Sequence, residues 1–249
     1  MSDRSGFIEM VRSSLGRNLA STPASAPETG LSQSYDELKA AAGRIRADMS
    51  RRADSLLSSF ATAAVKNSWK VTRAENYEHA AEVVASICRA EGIKSALRSD
   101  EEIFSRVPVD SALKSLSIEI GLAVSSHSAD LFRDAESRAR LKRLAFSVGC
   151  GITGSDFAIA ETGTVVLHPR AGLSRLVSLA PPVHIAIIER GSVLPSLDEL
   201  FLLEREALIM GRLSGSMNLI SGPSRTGDIE ATVVRGIHGP LETHAVLIG

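Results

Sequence analysis

Two short, nearly continuous apolar runs, His184–Ile188 and Ala245–Ile248, constrain this chain most. A strand with one wet face alternates apolar and polar side chains, so a run without that alternation belongs to a strand covered on both faces. Helical patterns surround these runs. Lys70–Thr72 reads as an earlier strand, followed by a helix with Tyr77, Ala81, Val84 and Cys88 on one face and Gly92 as its stop. Leu116, Ile118, Ile120, Leu122 and Val124 alternate as in a strand with two different faces. Leu131 to Phe146 is a basic helical segment ending at Gly149 and Gly151, and Leu197, Leu200, Phe201 and Leu208 mark another helix. Phe157 to Leu167 is strand-like around a turn or bulge at Thr162-Gly163. Strands alternating with helices predict an α/β domain over 67–249, a mostly parallel sheet with helices on both faces. Ligands of such sheets gather outside the carboxyl ends of the strands.

The first 66 residues read as a helical arm. Phe7, Ile8, Val11 and Leu15 recur at helical spacing, and a Ser/Pro/Ala-rich linker follows at 21–34. Leu38, Ala42, Ile45, Met49, Leu56 and Phe60 then form the stripe of one long amphipathic helix. That stripe covers either the main domain or a second copy of the chain, so the arm is a candidate for homo-oligomer contacts.

Charge narrows the partners. Lys plus Arg number 28 against 29 Asp plus Glu, so no overall field draws the chain to nucleic acid or anionic lipid. Any ligand is recognised locally. Cys88 and Cys150 stand in unrelated patterns, too few for a four-thiolate iron–sulfur cluster or a zinc framework, so we expect no cofactor carried by this chain. No apolar run is long enough to span a membrane and the start lacks the order of a signal peptide, which makes the cytoplasm the expected compartment.

Two glycine-rich stretches carry the polar residues that could do chemistry. Gly151–Thr164 packs glycines, an Asp, a Glu and hydroxyls together, so that backbone N–H groups and oxygens can converge on a small polar ligand. Its candidate binding positions are Gly154, Thr162, Gly163 and Thr164, with Glu161 as the candidate reactive carboxylate; the bland reading makes Gly151 a helix cap, Gly163 a turn and Glu161 a solvated edge residue. In Ser221–Glu230 a turn leads into a short helical segment whose start would hold an anion through Ser224, Arg225 and Thr226, with Thr226 or Asp228 as its cap. A well-capped helix with a surface arginine explains the same residues. His238, between two glycines, becomes an acid/base candidate with Asp228 if the loops converge. His168 and His184 read as structural.

The stretches GITGSDFAIAETGTVVL (151–167) and SGPSRTGDIEATVVRGIHGP (221–240), with Ser-Leu-Gly-Arg ending at Arg17, resemble the LUD-domain family of lactate-utilization C proteins. The resemblance implies a Rossmann-like fold related to the NagB/RpiA/CoA-transferase group and a part in oxidising L-lactate to pyruvate beside two iron–sulfur partner proteins. In that reading Arg225 and nearby hydroxyls hold the lactate carboxylate, while His238 or Asp228 takes the hydroxyl proton. Two other readings stand beside it. One is a free-standing acyl-transfer enzyme using coenzyme A thioesters with Glu161 as nucleophile; the other is a small-molecule sensor or assembly factor.

Overall fold

The computed structural model describes Met10 and residues 34–123, 135–212, 214–227 and 233–249. The expected first helix at Phe7–Leu15 and the linker up to residue 33 lie outside the described residues, apart from Met10. The expected long helix is two: α1 (Tyr35–Arg51) and α2 (Ala53–Lys66). Ser34 and Glu37 close a capping box at the start of α1, satisfying backbone donors that the first turn leaves open. The break at Arg52 lets the two halves face different layers. Ala42 and Met49 of α1 pack with Leu200 and Leu203, whereas Leu56, Leu57, Phe60 and Ala64 of α2 enter the core beside Ala245 and Leu247. Each large side chain buried this way contributes roughly 1.5–3 kcal/mol, so α2 is integral to the α/β unit.

The main sheet has six strands, all parallel: β1 (Lys70–Ala74), β2 (Ser95–Arg98), β3 (Glu119–Leu122), β4 (Cys150–Thr153), β7 (Val183–Glu189) and β12 (Glu242–Ile248), in the order β1-β12-β7-β4-β2-β3. Along β7, Ile185 and Ile187 face one cluster while Ala186 and Ile188 face another. This is why the run reads as apolar throughout. On the first face lie α3 (Tyr77–Ala90) and, after the short α4 (Ile103–Arg106), α5 (Val109–Ser115). The second face carries α2, α6 (Ala135–Ser147), α7 (Arg175–Leu179) and a smaller sheet of β5 (Phe157–Ile159), β6 (Thr164–Leu167), β8 (Val193–Leu194) and β9 (Asn218–Ile220), ordered β8-β5-β6-β9. The far side of that sheet, with Ile159, Val166 and Leu194, packs on α1 and α8 (Leu197–Ile209).

Two local expectations give way. The strand expected over Leu116–Val124 is confined to β3, because Leu116 caps α5 and Ser117 turns the chain at a φ of 57°; Val124 lies outside the described residues. The described part of the expected turn and helix, Ser221–Gly227, ends in a strand, not a helical turn. Gly222, at φ 116°, turns the chain into β10 (Arg225–Gly227), which pairs antiparallel with β11 (Val233–Arg235). Among the described residues no helix starts there to bind an anion.

Candidate functional site

The residues chosen from the sequence fall at opposite ends of the parallel sheet. Most of them meet at the amino ends of the strands. The β5–β6 turn holds Glu161, Thr162 and Gly163, and Gly163 adopts a φ of 61° where a Cβ would lie 2.3 Å from Ala64 N of α2. Asn67 Nδ2 donates to Thr162 O at 2.6 Å, and a hydroxyl chain runs from Thr162 to Thr164 to Ser221 with both steps at 2.7 Å. Arg225 Nη2 donates to Asn67 O at 3.0 Å and to Ser68 Oγ, tying β10 to the connection between α2 and β1. His238 joins through its backbone: its N–H donates to Ser224 Oγ at 3.2 Å, while its side chain is exposed. Thr226 sits within β10 opposite Val234, and Asp228 lies outside the described residues. An open cleft of about 400 Å³ borders this cluster, lined by α2, Lys66, Asn67, Ala160 and exposed Glu161. All of these hydrogen bonds except the one between Thr162 and Thr164 join one segment of the fold to another, so the cluster reads as a clasp between loops.

Gly154 lies at the other end. It follows β4, next to β2, and these neighbours connect onward in opposite directions, β2 to β3 and β4 to β7. Such a switch point opens a crevice above the carboxyl ends of the two strands. Here the residues after β2 and β4 interlock. Glu101 Oε2 accepts from Gly154 N at 2.8 Å and from the Ser99 hydroxyl, and the Glu101 side chain is only 6% exposed. Burial pushes the Glu101 carboxyl above its usual range, against the pull of those two hydrogen bonds and of Arg170.

The partner acid is tuned the other way. Burial also works against the Asp156 carboxylate, but hydrogen bonds from His168 and Arg170 outweigh it and hold the group below its usual range. Asp156 Oδ2 accepts from His168 N at 2.6 Å and from Arg170 Nη1 at 3.0 Å, and lies 3.2 Å from His168 Nδ1. His168 is in turn pushed up, first by Asp156 and further by Glu204, whose Oε1 is 2.9 Å from Nε2 in ion-pair contact off the hydrogen-bonding direction. Arg170 Nη2 reaches Glu101 Oε1 only at 3.5 Å, the loosest contact in the group.

Three depressions share Arg170. The innermost, about 140 Å³, is lined by Glu101, Arg106, Gly154, Ser155, Asp156 and Glu189 among others. That is the space of about five water molecules. A second, of about 600 Å³, opens past His168 and Glu204, and a third, of about 720 Å³, has an apolar floor of Leu141, Leu173, Leu176 and Leu179 with Arg138, Lys142 and Arg175 on its rim. Two carboxyl groups driven apart in pKa beside a histidine whose pKa is raised and an arginine can exchange a proton with a ligand and hold its negative end.

Sequence reasoning passed over most of this group. Asp156 lies inside the glycine-rich stretch, and His168 was read as structural. Ser99 and Glu101 follow Ser95–Arg98, too short and mixed to announce a strand; with β2 placed, the carboxyl-end rule points to them directly. His184 does keep its structural place: it is fully buried, with Nε2 3.0 Å from Thr153 Oγ1, and desolvation lowers its pKa to about 3, so it is neutral. Cys88 and Cys150, unrelated in sequence, are both buried as free thiols, and Cys150 Sγ donates to Gly151 O at 3.6 Å.

Residues 57–248 match the family model of the LUD domain. The chain belongs to the LUD domain family. Its relatives include Lactate utilization protein C of Exiguobacterium sp., 27% identical over 252 residues that span 100% of this chain and 96% of that one. Lactate utilization protein C 1 of Bacillus mycoides is 31% identical over 172 residues, 69% of this chain and 70% of its own. The Shouchella clausii Lactate utilization protein C is 34% identical over 129 residues, 52% of this chain and 56% of that relative. Among solved structures, a DUF162 family protein from Deinococcus radiodurans is similar at 16% identity and a TM-score of 0.43, covering 82% of this chain and 98% of that one. The crevice and the amino-end clasp both lie within the LUD domain. Among the described residues no helix is long and apolar enough to cross a membrane.

Proposed function

We propose that this LUD domain serves in lactate utilization by binding a small 2-hydroxy or 2-oxo carboxylate, L-lactate or pyruvate, in the crevice over the carboxyl ends of β2 and β4. The relatives' shared name supports the process. The observation that carries the site is the opposed tuning of Glu101 and Asp156 around Arg170, in a space of about 140 Å³ suited to a three-carbon acid. The loosely held Nη2 of Arg170 receives the ligand carboxylate. In its ionised form Glu101, made more basic by burial, is the group best matched to take the hydroxyl proton. Oxidation of lactate to pyruvate releases two electrons and two protons, and in this reading the electrons pass to iron–sulfur partner proteins.

The amino-end clasp offers the other placement, with Arg225 and His238 in those roles. We favour the crevice because Arg225 is engaged with Asn67 and Ser68 and the His238 side chain is exposed. The acyl-transfer reading rests on Glu161, also exposed at its turn, whereas the carboxyl group that the fold buries and tunes is Glu101. L-lactate-dependent dye reduction by the protein assembled with its co-purified partners distinguishes them. Arg170→Ala and Glu101→Gln are expected to abolish the activity, with Arg225→Ala retaining it. Loss in Arg225→Ala and His238→Ala with Arg170→Ala unaffected would move the site to the clasp.

A further inference from the structure

At the rim opposite the crevice, the start of β1, the start of β12 and the end of α3 bring Glu91, Glu242 and His244 together. Their ligand atoms, one oxygen from each carboxylate and one imidazole nitrogen, all lie within 4.8 Å of one another. His244 is 4% exposed, and its Nε2, 3.7 Å from Glu242 Oε2 and 3.9 Å from Glu91 Oε1, has no hydrogen-bond partner. A buried ring nitrogen left unpaired and aimed at two carboxylates calls for an explanation. Lys70 supplies only part of one. Its Nζ donates to Glu91 Oε1 at 2.9 Å and to Glu242 Oε2, so the ammonium serves both acids and leaves the imidazole unsatisfied.

We propose that Glu91, Glu242 and His244 form a binding site for a divalent transition metal of the zinc type, which enters by displacing the Lys70 ammonium. One nitrogen and two carboxylate oxygens, completed by a water, make the tetrahedral set that zinc takes with three protein ligands. The nitrogen selects against magnesium and calcium, which prefer oxygen alone. An imidazole must be unprotonated to bind a metal, and burial together with the Lys70 charge holds His244 below its usual pKa. Lys70, its side chain 53% exposed on a flexible stem, can swing into solvent, whereas His244 is fixed in β12 directly opposite it. The bound ion ties the end of α3 to the start of β12. It lies at the far end of the strands from the crevice and does not depend on the function assigned there.

Isothermal titration of the tag-free full chain with Zn²⁺, and with Mg²⁺ as comparison, tests this. We expect one Zn²⁺ per chain and no Mg²⁺, with Glu242→Gln and His244→Gln weakening Zn²⁺ binding by at least roughly tenfold. Lys70→Met, which removes the competing cation, is expected to tighten binding by about fivefold. Circular dichroism checks each variant, and if His244→Gln does not fold, Glu242→Gln and Lys70→Met decide. The proposal is overturned if neither wild type nor Lys70→Met binds Zn²⁺ at millimolar concentration. It is equally overturned if Glu242→Gln binds as wild type does, as it would with zinc held by His168, or if Lys70→Met binds no tighter.

Discussion

Replacing Glu101 by Gln separates what this carboxyl group does for stability from what it does for chemistry. Both of its hydrogen-bond donors, Gly154 N and the Ser99 hydroxyl, reach the same oxygen, Oε2. A glutamine can place its amide oxygen there, keep both bonds and turn its NH₂ toward Arg170, losing only the 3.5 Å contact with a half-exposed guanidinium. The buried charge disappears in exchange. We therefore expect Glu101→Gln to be within about 1 kcal/mol of wild type at neutral pH. Glu101→Ala removes the acceptor and leaves the Gly154 N–H unpaired, which costs roughly 1–3 kcal/mol before any cavity is counted. The pH dependence has a definite sign. Because the folded pKa is raised, the wild-type contribution is fully present below the unfolded value near 4.3 and is lost as pH rises through the folded value. The glutamine lacks this loss, so its stability relative to wild type improves as pH rises above about 4, by ~1.4 kcal/mol for each unit of elevation. Urea denaturation of the three proteins across that range is the assay. Turnover should fall by about 10²–10⁴-fold in Glu101→Gln despite its intact fold. A glutamine as destabilising as alanine, or a gap from wild type that does not move with pH, would refute the reasoning.

Gly151→Ala should destabilise by about 3 kcal/mol, the upper end for overpacking, because its Cβ would lie 1.7 Å from Val177 O, a backbone atom of α7; thermal unfolding lower by roughly 6–12 °C is the readout. His168 contributes stability that is fully present below an ordinary pKa of about 6.5 and is lost as pH rises through its raised folded value. Asp156→Asn removes the main cause of that elevation, so its deficit relative to wild type should shrink as pH rises above about 6.5, and a constant deficit would count against the pairing. Asn67→Ala loses the 2.6 Å bond to Thr162 O and should cost about 1 kcal/mol in urea denaturation while leaving carboxylate binding in the crevice unchanged.

The sequence made the layered fold readable and the site only partly so, and the reasons are specific. Strands buried on both faces, such as β7 and β12, leave an unmistakable apolar run. The hairpin around Thr162-Gly163 announced itself through its glycine. By contrast, Leu116–Val124 alternates well enough to imitate a strand although its first residue caps a helix, because local periodicity does not register a helix end. Arg225-Thr226-Gly227 carries hydroxyl and glycine signals shared by helix starts and hairpins, and pairing with β11 decides between them. The crevice escaped because its members, Glu101, Asp156, His168 and Arg170, come from three separate connections that only the crossing of strands at β2 and β4 unites. At the clasp Thr162, Thr164, Ser224 and Arg225 do come together, a convergence that sequence spacing left open, and there the polar groups satisfy one another.

Direct titration tests, without requiring any partner, whether the crevice around Arg170 binds a small 2-hydroxy or 2-oxo carboxylate. ¹³C-labelled L-lactate and pyruvate titrated into wild type, Arg170→Ala and Arg225→Ala, followed by NMR, should give saturable binding to wild type and Arg225→Ala that is lost in Arg170→Ala. Saturable binding that survives in Arg170→Ala and disappears in Arg225→Ala would contradict the account.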